Sequence, residues 1–301
     1  MTTAVARAAV RRMGAKNRNA GIAFASPLAL VTLVFFVVPI LLVCYMSGTD
    51  WKLLGGNKGW NFPDNYLTVV EHRMFWPAVA FTVKYTVIAT ILLIVIGLGL
   101  ALLVQESSRW KGLLRTAILL PAATGLASAS LLFYALYSPQ VGPFKEFLSS
   151  IGIASILGSP DGALWATVFL IVWRYSGFYM LLLLVGLQAI SMDLYEAARV
   201  DGASTLQIFS RITVPLLRPS LALSTIMCVT GSLLAFDQFY ILTKGGPDGS
   251  TMTVVQLVYN LAFESKRSLG LAAALSVIAL LALVVVNIFQ LRVLRGGDED
   301  E

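Results

Sequence analysis

The chain has 301 residues, of which 57% are apolar and only 13% charged, and it carries a formal net charge of +6. Soluble domains carry about 25% charged residues. A soluble fold of this size cannot hide so much apolar surface with so few charges, so the composition excludes a soluble enzyme. A nucleic-acid binder is excluded too, because the basic residues are spread over separate polar segments rather than gathered in one footprint. An all-α, polytopic membrane protein is expected.

A helix crosses the ~30 Å hydrocarbon core with about 20 apolar residues. No Asp, Glu, Lys or Arg occurs from Asn19 to Thr49, which places a first span at 22–46. The basic start with a long apolar run resembles a secretory signal, but the run is too long and no small-x-small cleavage site follows it, so it reads as a retained helix. A second span is expected at 77–104 with one charge, Lys84, which reads as snorkelling to the interface. A third is expected at 115–137, before Pro139 and Pro143, and a fourth at 163–188 with Arg174 inside it. A fifth is expected at 219–243 with Asp237 inside it, and a sixth at 268–291. Residues 1–20 form a basic N-terminal segment and 296–301 an acidic tail, with 21–295 between them as one transmembrane domain.

Lys and Arg counts orient the spans. With the N-terminus inside, the cytoplasmic segments carry thirteen and the outer ones seven. The positive-inside rule then puts both termini in the cytoplasm. Cys44 and Cys228 lie in apolar runs and read as small packing residues, not as a disulfide or metal pair. His72, between Glu71 and Arg73, reads as a solvated outer-loop residue. The chain has no G-x-x-x-x-G-K-[ST] loop to cradle a nucleotide phosphate. Uphill transport would therefore draw its energy from a partner or an ion gradient.

The cytoplasmic segment 189–219 has internal order. Ser191 or Asp193 can cap a short helix ending at Asp201, and Gly202 suits the left-handed turn after it. Ser204 or Thr205 can cap a second helix with Phe209 and Ile212 on one face. Pro215 and Pro219 are expected to stop that helix and start the next span. The whole reads as a helix-turn-helix elbow.

Its residues also form a motif. Glu196-Ala197-Ala198, Asp201-Gly202-Ala203, Phe209, Ile212 and Pro215 fix nine positions in twenty and resemble the EAA loop of ABC importer permeases. Thr243-Lys244-Gly245-Gly246-Pro247 resembles the T-x-G-G-P turn of the F-type partner in maltose-type permease pairs, with Lys244 where glycine is frequent. The resemblance spans about residues 20–295. It implies the MetI-like fold and a permease subunit of a carbohydrate importer in the bacterial cytoplasmic membrane. It also implies a second homologous permease, ABC ATPase subunits that bind the ATP and Mg, and an extracytoplasmic solute-binding protein. Cofactors of its own, metals and nucleic acid are not expected; membrane lipids are.

Charges within spans are costly and are paired or in use. Arg174 and Asp237 therefore either pair with each other or bind a polar solute. A sugar offers hydroxyls at its edges and apolar C–H faces, so its site calls for aromatic planes with donors and acceptors. Tyr175 and Tyr179 share a helix face, and Ser176, Asp237 and Gln238 add polar groups. The alternatives left open are a permease for another polar solute, such as glycerol phosphate, and an ion-coupled secondary transporter.

Overall fold

The computed structural model describes residues 24–106, 108–140, 142–143, 145–150 and 155–295. The basic segment 1–20 and the acidic tail 296–301 lie outside them. Helix α1 (Phe24–Ser47) carries one wider π-type turn at Leu33–Val37. A two-stranded antiparallel hairpin follows, β1 (Thr49–Lys52) and β2 (Gly56–Trp60), then helix α2 (Asp64–Val70). Next come α3 (Phe75–Val104), α4 (Arg109–Leu119) with a 3-10 turn at Leu120–Ala123, α5 (Leu126–Tyr137) and α6 (Lys145–Ser150). The second half holds α7 (Pro160–Gln188), α8 (Met192–Val200), α9 (Thr205–Leu216), α10 (Arg218–Leu233), α11 (Asp237–Leu242), α12 (Val254–Tyr259) and α13 (Leu269–Arg295).

Among the described residues, four helices are long and apolar enough to cross a membrane: α1, α3, α7 and α13. The other two expected spans are broken. The third starts at Arg109 rather than 115 and bends by 92° between Ala123 and Leu126. Pro121 prevents a regular continuation, since it lacks an N–H and its ring crowds the preceding turn. The fifth begins as expected, at Arg218, but its helix ends at Leu233 and restarts at Asp237. Asp237 therefore heads a short helix after a break and is exposed, rather than lying within a continuous span.

Helices α3 and α7 form the centre and run side by side in the same direction. Phe81 and Tyr85 pack near Leu164 and Val168; further along, Ala101 and Val104 pack near Leu183, Leu184 and Leu187. Gly97 lets the backbones close, because a Cβ there would sit 3.2 Å from the Tyr179 carbonyl carbon. Ser159 starts α7 by accepting the Gly162 N–H at 3.1 Å, with Pro160 at the first helical position. A second cluster, at the hairpin end, gathers Val69, Phe75, Leu257, Leu261 and Leu275.

Two outlying expectations change, those for Cys44 and His72. Cys228 is buried in the central cluster, but Cys44 is exposed on α1, whose most apolar stretch buries nothing in this chain. Lys84 agrees with the snorkelling reading: it is exposed and lies 3.8 Å from the exposed Asp161 carboxylate at the start of α7, a pairing that contributes little. His72 is half-buried rather than solvated: its Nδ1 accepts the Met74 N–H at 3.2 Å. Burial, then the charges of Lys266 and Arg73, hold that imidazole below the ordinary histidine range.

One of the tight interhelical fits is Gly186 of α7 against the start of α10. A methyl group there would overlap the Ser220 hydroxyl and come within 2.8 Å of the fully buried Leu217. Gly186→Ala should destabilise the protein by about 1–3 kcal/mol through overpacking. A second change, Ser220→Gly, should restore most of the loss in thermal unfolding of the purified protein.

Candidate functional site

A cavity of about 370 Å³ opens where the two broken spans meet α3 and α7, within the ~300–1,000 Å³ of small-molecule sites. Its aromatic walls are Tyr85 of α3, Tyr175, Phe178 and Tyr179 of α7, and Phe236. Cys228, Ser232, Asp237 and Gln238 add polar surface. The cavity exists because α10 stops at Leu233: Leu234, Ala235 and Phe236 turn the chain across the bundle, and α11 restarts beside α3. Phe239 of α11 is fully buried, edge-on to Phe81 and Tyr85 at 5.1 and 4.8 Å. That seating fixes Gln238 next to Tyr85.

Gln238 is 3% exposed and donates through Nε2 to the Tyr85 hydroxyl at 3.3 Å. Its Oε1 is buried with no protein partner. An unmet buried acceptor costs about 1–3 kcal/mol, and Oε1, itself closed off from solvent, can meet a donor in the cavity once the Gln238 side chain turns toward the lining. Phe236 stacks on Tyr240 at 5.1 Å and 18°, which fixes its ring in the wall.

The five path candidates part company here. Tyr175, Tyr179, Asp237 and Gln238 line the cavity; Ser176 is buried and lies off its lining. Arg174 and Asp237 do not pair. The Arg174 guanidinium donates through Nε and Nη2 to the Thr124 carbonyl at 3.0 and 2.7 Å, and Asp237 takes part in no ion pair among the described residues. Tyr85, Phe178 and Phe236 were not singled out from the sequence. Tyr85 carried a signal, as a polar aromatic beside Lys84 in an otherwise apolar helix.

At the far end of α7 the chain makes the elbow. Ser191, not Asp193, caps α8, accepting the Asp193 N–H at 3.3 Å. Gly202 has φ +75°, and the helix closes with two bonds, Ala203 N–H to Ala198 and Gly202 N–H to Arg199, at 2.9 and 3.1 Å. This is the paired ending that a left-handed residue after a helix permits. Ser204 caps α9 reciprocally with Gln207: the Ser204 N–H reaches Gln207 Oε1 at 2.8 Å, and the Gln207 N–H reaches Ser204 Oγ at 3.3 Å. Tyr195 and Thr213 join the two helices through their hydroxyls at 3.3 Å.

Glu196, Ala197, Asp201 and Gly202 are exposed on this elbow, while Ala198, Ala203, Phe209, Ile212 and Pro215 are half-buried. Val200 and Leu206 are 87% and 75% exposed. Pro215 does not stop the second helix. A π-type turn at Phe209–Thr213 lets the Val214 N–H bond to Phe209, the chain continues helically to Leu216, and the 65° bend falls before Arg218. Arg115, at the same end, donates through Nε to the Val104 carbonyl at 3.0 Å and ties α4 to the end of α3.

Residues 93–296 match the family described as binding-protein-dependent transport system inner membrane component. The chain is 34% identical to the trehalose/maltose transport system permease protein MalF of Thermococcus litoralis over 278 residues, covering 89% of this chain and 91% of that one. It is 33% identical to the lactose transport system permease protein LacF of Rhizobium radiobacter over 280 residues, covering 89% and 91%. Among solved structures it shares the fold of a bacterial ABC transporter involved in the import of the acidic polysaccharide alginate. The TM-score is 0.82 at 21% identity, covering 94% of this chain and 98% of that one. The membrane helices with their breaks, the capped elbow, and these matches lead to one assignment: the chain belongs to the inner membrane components of binding-protein-dependent transport systems, the ABC importer permeases of the MetI-like fold.

Proposed function

We propose that this chain forms half of the transmembrane path of an ATP-driven importer of a carbohydrate, and that the cavity around Gln238 holds the solute in transit. The observation that carries this reading is the buried, unpartnered Gln238 Oε1 among Tyr85, Tyr175, Phe178, Tyr179 and Phe236. Aromatic planes take the apolar faces of a pyranose, Oε1 accepts a hydroxyl, and the exposed Asp237 carboxylate accepts more strongly at the rim. The named substrates of the relatives, trehalose/maltose and lactose, support the same class. Arg174 is engaged with a backbone carbonyl and Asp237 has no cationic partner, which counts against an Arg174–Asp237 proton or sodium relay.

The other half of the path is a second homologous permease. ABC ATPase subunits bind ATP and Mg beneath the elbow, so hydrolysis belongs to them. An extracytoplasmic solute-binding protein delivers the sugar at the hairpin end. Both termini lie in the cytoplasm, in keeping with the Lys and Arg distribution. Glu196 and Asp201 on the elbow are carboxylates for basic groups of the ATPase cleft, and Val200 and Leu206 are apolar surface for its walls. Closure of the ATPases then biases the spans between inward- and outward-facing states, because only one state keeps the elbow contacts matched.

Gln238→Leu and Asp237→Asn should leave complex assembly and basal ATP hydrolysis unchanged while sugar uptake by the reconstituted complex falls about fivefold or more, the worth of one lost hydrogen bond. Normal uptake in both variants would remove the cavity from the path.

Gly202→Val should insert in the membrane but uncouple transport. A β-branched residue at φ +75° costs about 1–3 kcal/mol and opens the paired helix ending. Uptake should drop to background while the chain still co-purifies with the second permease.

A further inference from the structure

Arg174 sits midway along α7 and does not line the cavity. It has no carboxylate partner among the described residues. Its two donors converge instead on one atom, the carbonyl oxygen of Thr124. Thr124 is the residue at which the third span breaks: its N–H and its hydroxyl both turn back onto the Pro121 carbonyl, at 3.1 and 2.7 Å, and its own carbonyl, at the break between two helices, accepts from Arg174. Two residues on, Leu126 starts α5 and forms part of the cavity wall. The same guanidinium lies 4.3 Å above the ring of Tyr175, another wall residue. Below it, Gly177 leaves room for the span's approach, since a methyl group there would overlap the Ile118 carbonyl oxygen.

From this we infer that Arg174 is a positioning residue for transport. It latches the elbow of the broken third span onto α7, and thereby sets the place of Leu126 and the plane of Tyr175 in the cavity. The chemistry suits arginine and no other side chain. A planar fork gives two charge-assisted bonds to one carbonyl while its face rests on an aromatic ring. A backbone carbonyl freed at a break between membrane helices needs such a donor. Arg174 thus shapes the cavity without touching what enters it. The inference rests on the proposed function only where it connects the cavity wall to uptake.

The test uses the assembled transporter in vesicles, in a Cys44→Ser, Cys228→Ala background carrying Leu126→Cys. The rate at which a small maleimide labels position 126 is measured without sugar or nucleotide. Arg174→Met should raise that rate on the order of tenfold, the equivalent of losing one charge-assisted hydrogen bond. Arg174→Lys, which keeps a cation but loses the fork and the stacking, should fall between. Gly177→Ala, which moves the same elbow without changing charge, should raise labelling as Arg174→Met does. Wild-type labelling in Arg174→Met or in Gly177→Ala would overturn the latch. Failure of both Arg174 variants to assemble would overturn it as well, by reducing Arg174 to a folding role. Uptake is read separately. Raised labelling with unchanged uptake upholds the latch and removes the cavity from the path. Lost uptake confined to anionic sugars, with labelling at the wild-type rate, overturns the latch in favour of direct charge recognition.

Discussion

A bilayer interior offers no hydrogen bonds to a freed backbone carbonyl, and this chain breaks or ends helices inside its bundle several times. At three of these points the freed carbonyl is met by a side chain from outside the helix that ends there. Arg174 of α7 bonds Thr124 at the break of the third span, and Thr253 bonds Ala235 at 2.8 Å at the break of the fifth. Arg115 of α4 bonds Val104 at the end of α3. These three contacts span 50, 18 and 11 residues of sequence, and each falls where a helix ends or breaks and a backbone carbonyl loses its intrahelical partner. Pro121 itself breaks the third span; the contacts satisfy the carbonyls that such breaks and helix ends leave free, and that is what makes the breaks tolerable within the bundle.

The breaks are also what gives the molecule a chemistry. Uninterrupted apolar helices would present lipid-like surfaces to a solute. Ending α10 at Leu233 turns Phe236, Asp237 and Gln238 inward, and bending the third span brings Leu126 to the same space. The cavity then holds one unmet acceptor among aromatic rings. At the other end of α7 lies the elbow, rigid because both of its helices are capped and because Tyr195 and Thr213 join them. Leu217 packs against Ala101, Val104 and Leu187, and Gly186 takes up the tight approach of α10. A push on the elbow therefore reaches α7 and α10, the helices that carry Tyr179 and lead to Gln238.

Much of this was legible in the sequence, for definite reasons. Apolar runs of bilayer length with at most one charge located α1, α3, α7 and α13, and the Ser–Gly–Ser spacing with its motif located the elbow. The breaks were not legible as breaks. Hydropathy averages over a window and does not register a turn at Thr124 or at Ala235, because the few polar or helix-breaking residues there, Pro121 and Gly125, Asp237 and Gln238, are outweighed by apolar neighbours. The partner of Arg174 was hidden for a different reason. Sequence reading searches for an opposite charge, and the acceptor here is a backbone carbonyl, which every residue possesses. The depth that made Asp237 resemble a pair for Arg174 came from treating the fifth span as continuous. Ser176 was grouped with Tyr175 and Tyr179 by neighbourhood, but its side chain points off their shared face. Tyr85 contributes to the wall from a helix whose one charge, Lys84, drew the reading to the interface and away from its neighbour.

The central claim is that Gln238 Oε1 is kept without a protein partner so that a solute hydroxyl can meet it. A cryo-EM structure of the assembled transporter with its sugar-loaded binding protein, held by a non-hydrolysed ATP analogue, addresses it most directly. The account predicts sugar density in this cavity, stacked on the Tyr179 or Phe236 ring, with a hydroxyl at hydrogen-bond distance from Gln238 Oε1. Sugar bound wholly on the second permease, with Gln238 Oε1 turned to a partner within the protein, would contradict it.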